Sequence, residues 1–462
     1  MRLKIIHTND LHSNFENFKK VATLIKRLRD DNTIVLDGGD FADFKSIELQ
    51  GTRGGAALEL LENVGYDAIT IGNNEMFNGV DTLEYMASNS ELPFISNNLY
   101  KKDGTTINGV FKSTIVVKNN LRILITGSSP NLGEFSEGLG ILTTDYTMAV
   151  KEEIEQRKGS YDLCILLSHI GTFADEPLVE KIEGIDVVIS AHDHKLYQEA
   201  KIVNNTIMNS AGNYGEHIGV VELEIVDSKV VLLHSETIST NEQQEDEEII
   251  SILQSNKEKA IQVLRQPLYP IQQPLWHDVL EENPLSNLIA SGLQDMLNTD
   301  IGLINSGICN AGIFQFVSRK KLIEICPSPL NPTYFEIQGK YIWEALEQSL
   351  DAQICLGDGR GAGFRGRFAG RLHVSGIEIT HSGTTIKEVV INGNSLDPEK
   401  WYSVASSDYL QRGSGYPVLS KNRNVRYLPE EIKDVIRLYA CNQQFLENAQ
   451  VNRWKEVSYV RG

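Results

Sequence analysis

Five short hydrophobic runs in this chain each end on residues that ligate metal ions. Lys4-Ile5-Ile6 leads to Asp10 and His12, and Thr33-Ile34-Val35-Leu36 leads to Asp40. Ala68-Ile69-Thr70-Ile71 leads to Gly72-Asn73-Asn74-Glu75. Leu163 to Leu167 is followed by His169, and Val187-Val188-Ile189 by His192-Asp193-His194. Open α/β sheets gather their ligands outside the carboxyl ends of the strands, so residues distant in sequence converge on one crevice. Asp10, Asp40, Asn73, His12, His169, His192 and His194 together suffice for two adjacent metal ions sharing a carboxylate. Two such ions, about 3.5–4 Å apart, can bind a phosphoryl group and create a hydroxide nucleophile.

Each piece is weak by itself. Asp10 and His12 alternate by two and point one way from an extended segment, but a turn or cap would use the same residues. Asp40 follows Gly38-Gly39, which allow close backbone approach. Five pieces in order, all after strand-like runs, point to one site.

The elements that must position these residues are legible in outline. β-rich runs alternate with helical stretches through the first half, as in an α/β domain. Val21, Leu24, Ile25 and Leu28 have helical spacing within 18–28, and 55–64 reads as a second helix ending at Gly65. The stretch 219–233 reads as late strands, broken near Asp227-Ser228-Lys229. A polar, acidic segment from Asn241 to Glu248 leads into a helix, which is expected to be a linker over 241–265. The first domain is thus expected at 1–240 and a second α/β domain at 266–462. The second should contain helices at 286–297 and 341–350, strands at 301–304, 376–380 and 387–391, and a hairpin turn at Asn392-Gly393. Leu356 to Gly370, rich in Gly and Arg, reads as a loop.

With 462 residues the chain exceeds one ordinary core. Lys and Arg number 43 against 62 Asp and Glu, a formal charge of −19. That balance disfavours nucleic acid as a partner, although bound metals can reverse the local field for a small anion. Five cysteines, odd in number and without a Cys-x-x-Cys pair, argue against a disulfide framework or a zinc–thiolate site. Met1-Arg2 leads straight into the first strand, and no long apolar span follows. A cytoplasmic protein without a membrane partner is expected.

With these motifs assembled, the chain resembles the 5′-nucleotidase family of calcineurin-like metallophosphatases. Asp10-Leu11-His12, Gly39-Asp40, Gly72-Asn73-Asn74-Glu75, His169 and His192-Asp193-His194 match its five N-terminal motifs. Asn305-Ser306-Gly307, Ser407 to Leu410 and Gly413 to Tyr416 match, more loosely, its C-terminal substrate-binding domain. The resemblance implies an N-terminal sandwich of two sheets flanked by helices, and an α/β C-terminal domain. It implies that Asp10, His12, Asp40 and His194 hold one divalent ion and that Asp40, Asn73, His169 and His192 hold the other. Asp40 would bridge. Oxygen and imidazole ligands suit Mn, Zn, Fe, Co or Ni without choosing among them. The implied activity is phosphoester hydrolysis by a metal-bound hydroxide, on a small phosphorylated substrate such as a nucleotide. A phosphodiesterase, a hydrolase of diphosphate linkages and a catalytically weakened anion-binding protein are the alternatives.

Departures from the family pattern bear on rate and specificity. Asn74 stands where the family has a catalytic His, and Phe77 where that His has its Asp partner. Asn74 can donate a hydrogen bond to a phosphoryl oxygen but carries no charge. Asn310 replaces the Arg of Asn-x-Gly-x-x-Arg, and Ser414 replaces an acidic loop residue. The two base-stacking aromatics fall near Arg371 and near Asp408 or Tyr409. Asn305, Gly307, Asn310, Arg371, Tyr409 and Tyr416 are the candidate substrate contacts. Arg365, Arg367 and Arg371 form a candidate anion-binding cluster, and the two tyrosines are expected half-buried with hydroxyls outward. His7, His217, His234, His277, His373 and His381 are expected to be structural or surface residues.

Overall fold

The computed structural model describes residues 1–227, 229–361 and 363–457. The chain forms two compact units, Met1–Val263 and Leu264–Gly462.

The N-terminal unit is built on parallel strands buried on both faces. β1 (Arg2–Thr8), β2 (Thr33–Asp37) and β3 (Ala68–Thr70) run side by side, with Ile5 opposite Ile34 and Leu36 opposite Ala68. Short strands at Phe94–Ile95 and Val110–Phe111 and the hairpin His217–Val226 with Lys229–Ser239 complete this 7-stranded sheet. β4 (Leu163–Ser168) and β5 (Val187–Ser190) pair in parallel within a second, 6-stranded sheet. The candidate ligands therefore follow the carboxyl ends of β1 to β5.

Alternation along each strand sorts side chains between two environments. Leu3, Ile5, Ile34 and Leu36 turn inward and share a core with Ile165, Leu167 and Ile189 of the second sheet. Ile6, Val35 and Ile69 turn outward and pack with residues of helices Phe15–Leu28 and Gly55–Val64. On the outer face of the second sheet, Cys164, Leu166 and Val188 pack with Val150, Ile154 and Leu178 of two further helices. This is the expected sandwich of two sheets flanked by helices. The first helix begins at Phe15, three residues earlier than its apolar spacing suggests, because Asn14 caps it by accepting from Asn17 N.

The helix after the acidic segment spans Glu247–Leu264. Its Ile249, Ile252 and Leu253 pack into the N-terminal unit's core, and Asn256 Nδ2 donates to Glu59 at 2.7 Å. The C-terminal unit holds a 5-stranded sheet in which Ile301–Asn305 lies between Leu372–Ser375 and Trp401–Ser407. Asn392 and Gly393, with φ of 50° and 79°, turn the chain between Thr385–Ile391 and Asn394–Ser395, as the pair suggests. No helix among the described residues is long and apolar enough to cross a membrane.

Among the histidines without a motif role, His7, His373 and His381 are buried in these units. His7 sits in β1 with neither ring nitrogen hydrogen-bonded, and burial pushes its pKa down to about 3. His373 is pinned at the start of helix Pro284–Leu297, where its Nε2 accepts from the backbone N–H and the side-chain amide of Asn283 at 3.1 and 3.0 Å. Its Nδ1 faces the Arg371 carbonyl at 3.1 Å. Burial holds its pKa at about 3, so the folded unit binds it only as neutral imidazole.

The unfolded chain binds a proton at His373 near pH 6.5, and the folded unit near pH 3. Stability is therefore fully present above the higher value and declines as pH falls toward the lower one. Between pH 7.5 and 5.0 this His alone removes up to about 2 kcal/mol. All four Trp residues, 276, 343, 401 and 454, lie in the C-terminal unit, so their fluorescence follows its denaturation selectively. In His373→Gln, the urea midpoint should shift less between those pH values than in wild type. Equal shifts would show that this histidine is not held neutral.

Candidate metal centre

The strand ends bring two buried carboxylates and three imidazoles to one place. Asp10 Oδ1 lies 3.9 Å from His12 Nε2, 3.7 Å from His194 Nε2 and 3.9 Å from His169 Nε2. Asp40 Oδ2 lies 3.3 Å from His169 Nε2 and 3.8 Å from His12 Nε2. Asp10, His12 and His194 form one ligand-competent group, and Asp10, Asp40 and His169 form another. His192 stands beside them, its ring 5.2 Å from that of His169 and its backbone N–H donating to Asp10 at 3.1 Å. Asn73 begins the short helix Asn73–Met76 after β3, and its Oδ1 is buried without a hydrogen-bond partner.

The backbone is bent to achieve this. Asp10, His12, Asp40, His192 and His194 all have φ between 50° and 82°, a region that residues other than glycine rarely occupy. Such conformations cost on the order of 1–3 kcal/mol each and persist where surrounding structure holds them. Glycines make the room. A Cβ on Gly72 would lie 2.1 Å from Asp40 Oδ1, and one on Gly39 would lie 2.7 Å from His169 Nδ1.

The electrostatics favour a cation. His169 is fully buried, which opposes its charged form, yet the Asp40 carboxylate facing it raises its pKa to about 10. Burial likewise opposes charge on Asp40, but His169 outweighs it and holds Asp40 far below the usual carboxylate range. His12 and His192 are pushed the other way, first by burial, and so stay neutral imidazoles fit to ligate. His169 Nδ1 lies 2.7 Å from the Gly38 carbonyl, which orients Nε2, itself buried without a hydrogen bond, toward the carboxylates. Unpartnered Asn73 Oδ1 and His169 Nε2 beside two carboxylates fit a divalent ion.

Supporting residues emerge that their types alone do not reveal. Glu75 is buried, and its carboxylate accepts from the backbone N–H groups of Asp40, Ala42 and Gly72 at 3.0, 2.8 and 2.8 Å. Burial, with Asp40 nearby, lifts its pKa to about 7. Asn9 Nδ2 donates to Asp10 Oδ2 at 2.9 Å, and Asn213 Nδ2 lies 3.0 Å from His194 Nδ1. Glu75 carried a signal, an acidic residue three positions after Gly72 at a helix start, where it can reach back to free N–H groups.

Asn74 lines the cleft beside the candidate ligands, and its side chain is engaged with two of them. Its backbone N–H donates to Asp40 Oδ1 at 2.8 Å, and its amide donates to Asp40 Oδ2 at 2.6 Å and lies 3.2 Å from His12 Nδ1. The short amide clamps ligands, because Asp40 is the acceptor within its reach.

The C-terminal candidates are mostly bound into their own unit. Asn305 is buried and donates to the Ala369 carbonyl, and Gly307 packs so closely that a Cβ would lie 1.9 Å from the Phe368 carbonyl. Asn310 is exposed. Tyr409 and Tyr416 are fully buried, not half-buried with hydroxyls outward. Tyr409 stacks on Phe364 at 4.3 Å, and the Tyr416 hydroxyl donates to the Gly370 carbonyl. The three arginines take separate partners: Arg371 lies over Trp454 at 4.5 Å, Arg367 over Phe368 at 4.8 Å, and Arg365 donates to the Phe364 carbonyl.

Comparison with known proteins agrees with this architecture. Residues 3–196 match a calcineurin-like phosphoesterase model, and residues 262–421 match the 5′-nucleotidase C-terminal domain. The chain belongs to the calcineurin-like phosphoesterases, in the two-domain form that carries a 5′-nucleotidase C-terminal domain, and is a metal-dependent phosphoesterase. It is 30% identical over 457 residues to the uncharacterized metallophosphoesterase YunD of Bacillus subtilis, covering 94% of this chain and 98% of that one. NAD nucleotidase of Haemophilus influenzae shares the fold, with TM-score 0.65, 16% identity and coverage of 99% and 98%. So does a 5′-nucleotidase precursor from Thermus thermophilus, with TM-score 0.56, 19% identity and coverage of 99% and 100%.

Metal content tests the centre directly. Asp40→Asn removes a ligand charge, and Gly72→Ala forces a methyl onto Asp40 from outside the ligand set. Both should retain the fold by circular dichroism and lose at least about half of the metal that loaded, desalted wild type retains. Wild-type metal content in both variants would show that these residues do not form the site.

Proposed function

We propose that the chain hydrolyses phosphoesters at a dinuclear centre. Asp10, His12, Asp40 and His194 would hold one divalent ion, and Asp40, Asn73, His169 and His192 the other. The carrying observation is that Asp40 Oδ2 lies 3.8 Å from His12 Nε2 and 3.3 Å from His169 Nε2, one member of each set. Asp10 Oδ1 also approaches both sets, which supports two neighbouring cation positions rather than one. Divalent ions there would supply phosphoryl-oxygen polarisation and a water of lowered pKa.

The residues of the chain define the rest. His169 and Asp40 exclude bulk water from the floor of the site by their own burial. Asn74 fixes Asp40 through two hydrogen bonds, and Asn213 orients His194. No positive side chain at position 74 meets the charge that develops as a phosphoester cleaves. Losing one such donor lowers rates by about 10²–10³ in other hydrolases. Substrates with good leaving groups should therefore be favoured over ordinary phosphomonoesters.

The substrate is a small phosphorylated molecule, for which nucleotides are one class; the curated relatives include 5′-nucleotidases. Buried Tyr409 and Tyr416 and the paired arginines support weak reading of a nucleobase by the C-terminal unit. A panel of aryl and alkyl phosphomonoesters, phosphodiesters, nucleotides and nucleoside diphosphate sugars, each with Mn, Zn, Fe, Co and Ni, tests the proposal. Metal-dependent turnover that is lost in His192→Ala supports it, and absence of turnover on every ester rejects it.

Restoring the family pair tests the role of position 74. Asn74→His with Phe77→Asp should raise turnover of a nucleoside monophosphate at least about tenfold, a gain of about 1.4 kcal/mol in the barrier. An unchanged or lower rate with metal content intact would sink this account.

A further inference from the structure

The ligand cluster lies at one side of a cleft of about 550 Å³ in the N-terminal unit. Asn74, His12 and His194 line it, together with Phe77, Tyr214, Asp43 and Lys45. Phe77 and Tyr214 are 40% and 43% exposed, which leaves two aromatic surfaces open beside the ligands. The Tyr214 ring lies 5.6 Å from that of His12 and 6.0 Å from that of His194. Lys45 is the ammonium among the lining residues.

Lys45 is aimed by a loop tied to the ligands. Its Nζ lies 3.0 Å from Asp43 Oδ2, and its backbone N–H donates to Asp43 Oδ1 at 2.9 Å. Asp43 is itself held by Ser13, whose hydroxyl donates to the Asp43 carbonyl at 2.9 Å and accepts the Asp43 N–H at 2.8 Å. Ser13 directly follows His12. The position of the ammonium is thus set from the same turn that supplies a candidate metal ligand. The Lys45 side chain is 61% exposed, so its pair with Asp43 contributes little to stability.

We propose that Lys45 is the cation that meets the leaving group in this protein, with Asp43 as its positioning residue. This rests on the phosphoesterase reading above. In hydrolysis of R–O–PO₃²⁻, the oxygen of water bonds to phosphorus and the P–O bond to the leaving group breaks. The electron pair stays on the leaving oxygen, and the proton shed by water ends on it as the alcohol R–OH. The transition state therefore carries charge on that oxygen. Asn74 offers no charge, and its amide is engaged by Asp40 and His12. An ammonium in the same cleft as two aromatic surfaces that can hold an organic leaving group fills that role.

Leaving-group dependence separates this role from general attraction of anions. Phenyl phosphate has a poor leaving group and p-nitrophenyl phosphate a good one. Lys45→Met should lower kcat on phenyl phosphate about 100-fold and on p-nitrophenyl phosphate less than about 3-fold. Lys45→Arg should retain most of the activity on both, and metal content should match wild type in each variant. Equal losses on the two esters, no loss on either, or loss of metal in Lys45→Met would overturn the assignment. Wild-type protein that is inactive on both esters would overturn the role of Lys45 in phosphomonoester cleavage, whereas the phosphoesterase reading falls only if every ester of the panel is inert. Active wild type with an unselective Lys45→Met would reject Lys45 alone.

Discussion

Two buried carboxylates govern the N-terminal unit. Asp10 and Asp40 are almost fully desolvated, and both point at the same imidazoles. An unpaired buried charge is expensive, and two together are more so. A unit charge about 4 Å away is worth about 4 kcal/mol at an effective dielectric of 20. A protonated His169 would supply one such charge, and the facing Asp40 carboxylate raises its pKa to about 10 despite full burial. A divalent ion supplies twice that charge and relieves the imidazole of its proton. Cation binding is thus built into the stability of the site, because the carboxylates are costly without positive charge.

Holding that arrangement demands backbone geometry that regular structure does not provide. Positive φ at five candidate ligands, Asp10, His12, Asp40, His192 and His194, bends the chain sharply after three of the strands. Gly39 and Gly72 allow the His169 and Asp40 side chains to press against backbone. Glu75 then accepts three N–H groups that the sharp turns leave without helix or sheet partners. The strain is carried by the sandwich core, in which Leu3, Ile5, Ile34, Ile165 and Ile189 are buried between the sheets.

What was legible in the sequence follows from how local each feature is. Strand ends, ligand types and the glycines before Asp40 and Asn73 are short-range patterns, and they pointed to the strand ends where Asp10, His12, Asp40, His169 and His194 come together. The alternation of strands and helices was legible in the same way, while the two-sheet sandwich came from the resemblance to the family. Asn9 and Asn213 were not legible, because a common polar residue does not announce its acceptor, and Glu75 showed its helix-start position but not all of the N–H groups it accepts. The C-terminal pocket was least legible. Tyr409 and Tyr416 look alike in an open groove and in a core, and only Phe364 stacked on one and the Gly370 carbonyl facing the other decide the matter. Arg365, Arg367 and Arg371 are close in sequence, yet Trp454, far along the chain, takes the last of them.

Position 74 shows how one substitution redistributes a site's electrostatics. A cationic side chain there would face the substrate but would also repel any cation held by the candidate ligands. The amide removes that repulsion and turns inward, where two hydrogen bonds fix Asp40, the carboxylate proposed to bridge. Ligand order is gained while charge on the substrate side is lost. Phe77, where a carboxylate would have oriented a histidine, is free of that duty and presents an aromatic edge to the cleft, packed against Phe135 at 5.8 Å. The two changes are coherent: a site that no longer places a cation at position 74 gains apolar surface at position 77. The preference proposed for it would then rest on what an organic leaving group offers to that surface and to the Lys45 ammonium in the same cleft.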